Sequence, residues 1–108
     1  MDTILKKAAL LAEEIKQSGL CREFMESAAR LSADAPAAKA LEGYERLLES
    51  YGPREGLSFE QERHLGNVYW ELTLNETIKD YLVKKAALAE FLKAFYGLFG
   101  GAFNDIGL

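Results

Sequence analysis

The chain has 108 residues, of which 49% are apolar and 28% are charged, and its formal net charge is −4. This length suits one compact domain, and the composition excludes a disordered or collagen-like chain. The 13 basic residues are outnumbered by 17 acidic ones and form no concentrated basic face, which argues against direct nucleic-acid binding. The single cysteine, Cys21, excludes an intramolecular disulfide.

The beginning of the chain, Met1-Asp2-Thr3, lacks the basic flank and apolar stretch of a secretory signal. No uninterrupted apolar run approaches the roughly 18 residues that a helix needs to span a bilayer. We therefore expect a cytoplasmic protein without membrane insertion.

The apolar residues recur at helical spacing from the first segment onward. The first stripe consists of Ile4, Leu5, Ala8, Leu11, Ala12 and Ile15. Asp2 or Thr3 can cap the start of this helix, and Gly19 can end it in a left-handed conformation. A second helix is expected over residues 20–32. Its aligned apolar residues are Leu20, Phe24, Ala28 and Leu31.

Two local signals introduce a third helix, expected over residues 35–51. Asp34 can accept hydrogen bonds from the free amides of the first turn, and Pro36 lies where its missing N–H costs nothing. The steps of four and three residues along this helix are typical of a coiled-coil-like seam. That seam consists of Ala37, Leu41, Tyr44, Leu48 and Tyr51.

The next segment is a loop, residues 52–56, that contains two glycines and a proline. Ser58 and Gln61 then form a capping-box signature for a fourth helix over residues 59–74. Asn75 either caps a fifth helix that reaches about residue 99 or lies inside one continuous helix that would form a long rod. We expect the glycines beyond residue 96 to fray the end of the last helix. They are Gly97, Gly100 and Gly101.

These elements predict an all-α fold of four to five amphipathic helices in an antiparallel bundle with a long C-terminal helix. Residues 1–108 are expected to form a single helical domain. Apolar residues on two sides of the last helix favour an oligomer.

No motif or cluster of residues in the sequence predicts catalysis, cofactor binding or a metal site. His64 is the one histidine, with Glu60 and Glu71 on the same helix, and a metal site would need further imidazole or thiolate ligands. Cys21 near a helix start is either a reactive thiol or, more commonly, a small packing group. The arginines are scattered, and Arg30 and Arg46 each follow a glutamate by four residues, as in surface ion pairs.

The last helix carries apolar residues on two sides. The face expected to meet the core consists of Ile78, Tyr81, Leu82, Leu88, Ala89, Leu92, Phe95, Tyr96 and Phe99. A second stripe on nearly the opposite side consists of Val83, Ala87, Phe91, Ala94 and Leu98. Either the other helices surround this helix within one chain, or the second stripe meets another chain. We prefer the second explanation, because four short helices give limited cover.

The fourth helix also carries apolar residues on more than one face. Leu65, Val68, Tyr69 and Leu72 share one face, whereas Phe59, Trp70 and Leu74 point elsewhere. Aromatic residues with spare exposure are common anchors of protein interfaces. We therefore predict a protein interface that consists of Val83, Ala87, Phe91, Ala94, Leu98 and Trp70.

Several segments together resemble the YlbF/YmcA family of small helical bacterial proteins. In the first half, the resembling residues are Ile4-Leu5 through Ile15, Ser18, Phe24, Ala28, Leu31, Asp34 to Ala38, Leu41 and Tyr44. In the second half, the run Asn75 to Leu82 resembles the start of that family's last helix.

The resemblance implies an α-helical protein without activity of its own that forms homo-oligomers, such as a dimer, or hetero-oligomers with related helical proteins. It also implies a role as an accessory factor for a membrane-attached endoribonuclease in mRNA maturation, with links to competence, sporulation and biofilm control. Independently of the resemblance, the alternative function is a helical sensor that responds to a small ligand or metal, with His64 and nearby glutamates in the bundle interior.

Overall fold

The computed structural model describes residues 2–107 and is helical throughout, with no strand in that range. Its elements are α1 (Asp2–Lys16), α2 (Gly19–Ala33), α3 (Ala35–Tyr51), a 3₁₀ turn (Arg54–Gly56), α4 (Phe59–Thr73) and α5 (Glu76–Asp105). The helices pack against one another, and α5 has 30 residues, whereas each of the others has 15 or 17. The prediction of an all-α fold with a long C-terminal helix is confirmed.

The described chain divides into two compact units. The core unit comprises Ser27–Leu82, and the open unit comprises residues 2–26 together with residues 83–107. Helices α2 and α5 therefore contribute residues to both units.

Side-chain caps start three of the helices where the sequence predicts them. Asp34 Oδ1 accepts a hydrogen bond from the Ala37 N–H at 3.2 Å, with Pro36 in the first turn of α3. The capping box of α4 is complete: Ser58 Oγ accepts from the Gln61 N–H, and Gln61 Oε1 accepts from the Ser58 N–H. Each such cap satisfies amides that the first turn of a helix leaves without a partner.

Asn75 separates α4 from α5. Its Oδ1 accepts a hydrogen bond from the Ile78 N–H at 3.1 Å, so it caps α5, while α4 ends at Thr73. The alternative of one continuous helix through Asn75 is wrong. An asparagine side chain that bonds to the backbone ahead of it competes with helix continuation at that position.

The residues predicted to cap the start of α1 and to end it are both wrong. Asp2 and Thr3 both lie inside α1, so neither precedes the helix as a cap. Gly19 does not adopt a positive φ and begins α2. Ser18 makes the transition instead: its Oγ donates to the Ile15 carbonyl at 2.6 Å and accepts from the Cys21 N–H at 3.4 Å.

Helix α5 continues to Asp105, beyond the predicted end near residue 99. A glycine inside a helix costs about 1 kcal/mol relative to alanine but need not end it. Gly97, Gly100 and Gly101 all keep helical geometry without a positive φ. Apolar contacts along the helix, in particular between the rings of Phe99 and Phe103, extend past these glycines.

The hydrophobic core lies in the core unit and draws on four helices. Its buried members are Leu31 of α2, Ala37 and Leu41 of α3, Leu72 of α4 and Ile78 of α5. Ile78 is the most deeply buried of the large side chains, with 1% of its surface exposed. Ala38, Tyr44, Tyr81 and Leu82 pack around this cluster.

Helices α3 and α4 run in opposite directions. The ring of Tyr44 meets that of Tyr69, whereas Tyr51, further along α3, meets His64, earlier on α4. The predicted seam of α3 accordingly faces α4, and its first members, Ala37 and Leu41, reach the core.

A polar contact within the core unit joins α2 to α5. Asp80 Oδ2 accepts hydrogen bonds from Ser27 Oγ at 2.7 Å and from Arg30 Nη2 at 2.8 Å. The predicted Arg46–Glu42 pair is confirmed, whereas Arg30 pairs with Asp80 rather than with the glutamate four residues before it. An ion pair that also includes a buried hydroxyl donor is favoured over an exposed pair on one helix surface.

Asn75→Ala removes the cap of α5 and is expected to lower the free energy of unfolding by about 1 kcal/mol. Urea denaturation followed by circular dichroism measures the change. Asn67→Ala is the matched control, because Asn67 is exposed in the middle of α4 and caps no helix. Equal destabilisation by both variants would contradict the capping role.

Ser27→Ala removes a fully buried donor to a carboxylate and is expected to cost about 1.5–3 kcal/mol of folding stability. Arg30→Ala removes a largely exposed pair and is expected to cost less than about 1 kcal/mol, a loss that shrinks in high salt. Urea titrations at low and high sodium chloride measure both. A larger loss for Arg30→Ala would assign the stabilisation to the ion pair instead.

Candidate protein-interaction surface

Burial is unevenly distributed along the chain. The described residues that are buried comprise six apolar residues and Ser27, and all of them lie in the core unit. The open unit contains no buried residue in its described range, although α1 is amphipathic and α5 is strongly apolar. Its apolar side chains therefore lack the cover that a finished hydrophobic core provides.

The predicted second stripe of α5 lies in the open unit and is exposed along its whole length. The exposed fractions are 55% for Val83, 38% for Phe91 and 74% for Leu98, and Ala87 and Ala94 are also exposed. At 100° per residue the five positions fall within an arc of about 80°. The explanation that other helices of this chain surround α5 is therefore wrong.

Trp70, the sixth predicted interface residue, lies in the core unit. It is 64% exposed on α4, and the neighbouring Phe59 and Leu74 are similarly exposed, as the helical spacing predicts. Trp70 therefore lies in a different unit from the stripe on α5.

Aromatic rings contact one another along α5. Phe95 is their centre, with ring centroids 6.2 Å from Phe91, 5.8 Å from Tyr96 and 5.1 Å from Phe99. Phe99 in turn contacts Phe103 at 6.4 Å. These contacts hold Phe91 against its own helix, which accounts for its lower exposure than Val83 or Leu98.

The other side of α5 faces α1 across an apolar groove of about 460 Å³ in the open unit. Helix α1 contributes Ile4, Lys7, Ala8, Leu11, Ala12 and Ile15, and α5 contributes Leu92, Phe95, Tyr96 and Phe99. The predicted core face of α5 thus meets a neighbour over part of its length, but Tyr96 and Phe99 remain exposed.

The apolar surface of α5 continues beyond the end predicted near residue 99. Phe103 and Ile106 are 49% and 70% exposed and extend the apolar surface past the glycines. The four-residue spacing of Phe91, Phe95, Phe99 and Phe103 was the signal that could have revealed this extension.

Helix α5 is also the one described helix long and apolar enough to cross a membrane, with a mean hydropathy of 1.2 over its best window and no part of that window buried. A search for an uninterrupted apolar run does not find this property, because Glu90 and Lys93 interrupt the run. These two charges share a polar side of the helix with Ala86, away from both apolar faces.

The other candidate groups do not assemble into a reactive centre within residues 2–107. No group of three or more histidine, cysteine, aspartate or glutamate side chains is placed to hold a metal ion there. His64 is exposed and contacts the ring of Tyr51, with centroids 6.3 Å apart. Cys21 is a half-buried free thiol in the first turn of α2.

A family model that describes control of the competence regulator ComK, YlbF/YmcA, matches residues 4–98. The chain belongs to the YlbF/YmcA family. This family takes part in competence regulation, and the matched range includes every predicted interface residue. The resemblance seen in the helix caps and core positions is thereby confirmed.

A solved structure of Bacillus subtilis RicA in complex with RicF has a similar fold. It matches with a TM-score of 0.66 and 23% sequence identity, and the match covers 95% of each chain. At this identity the likeness shows the fold alone. A comparison with curated proteins gives no match.

The uneven burial predicts uneven hydrogen exchange. In the isolated chain at low concentration, amides of α1 and of residues 94–105 should exchange faster than those of residues 37–48 and 65–72, because local opening there exposes little buried surface. Hydrogen–deuterium exchange with mass spectrometry measures this difference. Equal protection of the two sets would contradict the assignment of residues 83–107 to a poorly covered unit.

Proposed function

We propose that this protein is a non-enzymatic regulatory adaptor that works by binding other proteins. The observation that carries the proposal is the exposed apolar stripe of α5, which consists of Val83, Ala87, Phe91, Ala94 and Leu98. An isolated chain gains nothing from displaying such a stripe, whereas a partner helix that covers it removes apolar surface from water.

The partner is an α-helical protein with a complementary apolar face. The similar RicA structure is a complex with a second protein, RicF, which supports a hetero-oligomer. Trp70, 64% exposed, serves as a further anchor on the core unit, because tryptophan is a frequent source of binding energy in interfaces.

Membership of the family extends the proposal to a cellular role. The adaptor acts in the cytoplasm as an accessory factor for an endoribonuclease, in mRNA processing and developmental control, and contacts RNA only through its partners. The family model supports the regulatory part of this role through its description of competence control. The acidic surface, with a net charge of −4, agrees with the lack of direct RNA contact.

We expect α5 to bind protein rather than to cross a bilayer. Its longest stretch without a charged residue, 94–104, would extend about 16 Å as a helix, whereas the hydrocarbon core of a bilayer is about 30 Å thick. Glu90 and Lys93 would each add about 3 kcal/mol to the cost of insertion near the bilayer centre.

Two adjacent alanines test the stripe. Ala87→Glu places a charge at the centre of the stripe, and Ala86→Glu places the same charge on the polar side of the same exposed helix. After digestion of RNA, tagged wild-type protein and Ala86→Glu should capture a related helical protein or an endoribonuclease from the native cell. Ala87→Glu should capture at least tenfold less, and Phe91→Glu should behave like Ala87→Glu.

Circular dichroism and sedimentation velocity provide the controls. Both alanine variants should retain the helix content of the wild type, since glutamate is a good helix former. Undiminished capture by Ala87→Glu and Phe91→Glu would place the interface elsewhere. Recovery of the bait alone, as a defined homo-oligomer or in the membrane fraction, would contradict the adaptor role.

A further inference from the structure

An open cleft of about 650 Å³ lies between α3, α4 and the 3₁₀ turn that joins them, entirely within the core unit. Its volume falls in the range of small-molecule sites, about 300–1,000 Å³. None of the stripe residues of α5 lines this cleft, and the adaptor function makes no use of it.

Two glycines line the cleft. Gly66 lies exposed in the middle of α4, and a side chain added there would meet no atom within 4 Å, so a larger residue can be introduced at the cleft without a clash. Gly52 ends α3 with a φ of 79°, a conformation that favours glycine, and it leads into the 3₁₀ turn.

The walls of the cleft offer aromatic and aliphatic surface to a flat ligand. The rings of Tyr44 and Tyr69 lie with centroids 5.8 Å apart at an angle of 53°, and Leu48 and Leu65 line the cleft beside them. Tyr69 is 42% exposed and Leu48 is 40% exposed, so both present surface that a ligand can cover.

The cleft also carries one group of each charge. Arg54 and Glu62 both line it, and no ion pair among the described residues joins the two side chains. Burial raises the pKa of Tyr44, the neighbouring Tyr69 raises it further, and Arg54 acts in the opposite direction. The Arg54 charge is therefore felt at the Tyr44 hydroxyl, beside the aromatic wall.

We propose that this cleft binds a small planar aromatic ligand that carries an anionic group and an N–H donor. The guanidinium of Arg54 would pair with the carboxylate or phosphate of the ligand, because its planar donors match both groups. The ring of the ligand would pack on Tyr44 and Tyr69, and Glu62 would accept the hydrogen bond from its N–H. This inference goes beyond the adaptor function and does not rest on it.

Two pairs of probes test the ligand class. Indole-3-acetate and guanosine monophosphate each combine a planar ring, an N–H donor and an anionic group, whereas indole-3-acetamide and guanosine lack the negative charge. Isothermal titration and ligand-observed NMR on the full chain should give saturable binding of at least one anionic probe. Its neutral analogue should bind at least tenfold more weakly, and Arg54→Gln should abolish that preference.

A matched pair of glycine variants assigns the site. Gly66→Leu fills the cleft, whereas Gly43→Leu places the same side chain in equally open space on α3, outside the cleft. Neither glycine has a positive φ, so both variants should fold and melt at or above the wild-type temperature. Gly66→Leu should abolish binding of the probe, and Gly43→Leu should leave it unchanged.

The proposal is overturned if neither anionic probe binds saturably up to millimolar concentration, or if Gly66→Leu binds as well as Gly43→Leu. Equal binding of an anionic probe and its neutral analogue would also overturn it, because Arg54 would then play no part. None of these binding results bears on the capture experiment with the α5 variants. The ligand-binding proposal and the adaptor proposal can therefore fail independently.

Discussion

The fold depends on how much apolar side-chain surface the helices of this chain can bury against one another. Leu31, Ala37, Leu41, Leu72 and Ile78 form a buried cluster in residues 27–82, where α3 and α4 pack against each other. Residues 83–105 of α5 share their unit with α1 and the first turns of α2. A 30-residue helix with two apolar faces cannot be covered by these short neighbours, so the second face is left exposed.

The sequence predicts the parts of the fold that depend on local chemistry. Asp34, Ser58 and Asn75 cap the helices that follow them, because a short side chain bonds to amides within three residues. The partner of Arg30 was not predictable in this way, because the Ser27–Asp80 hydrogen bond beside it joins residues 53 positions apart in the sequence. The end of α5 was hidden by the helix-breaking tendency of its glycines, although the four-residue spacing of Phe99 and Phe103 is a local signal that the helix continues.

The candidate surface was predictable to a similar degree. Helical periodicity alone separates the stripe centred on Ala87 from the core face, and every stripe residue is exposed. Periodicity does not reveal that Tyr96 and Phe99 of the core face are exposed as well. Periodicity does not reveal that Trp70 belongs to a different unit. Nor does it reveal the cleft that Gly66 lines, since that cleft forms between two helices and the turn that joins them.

The accessibility of Ala87 in the assembled state tests the central claim most directly. Cys21 is the one native cysteine, so Ala87→Cys and Ala86→Cys can each be introduced into a Cys21→Ser chain and labelled with a maleimide. Both positions should react rapidly in the isolated chain. In the purified complex, position 87 should react at least tenfold more slowly while position 86 stays reactive; equal reactivity at both positions in the complex would contradict an interface on this stripe.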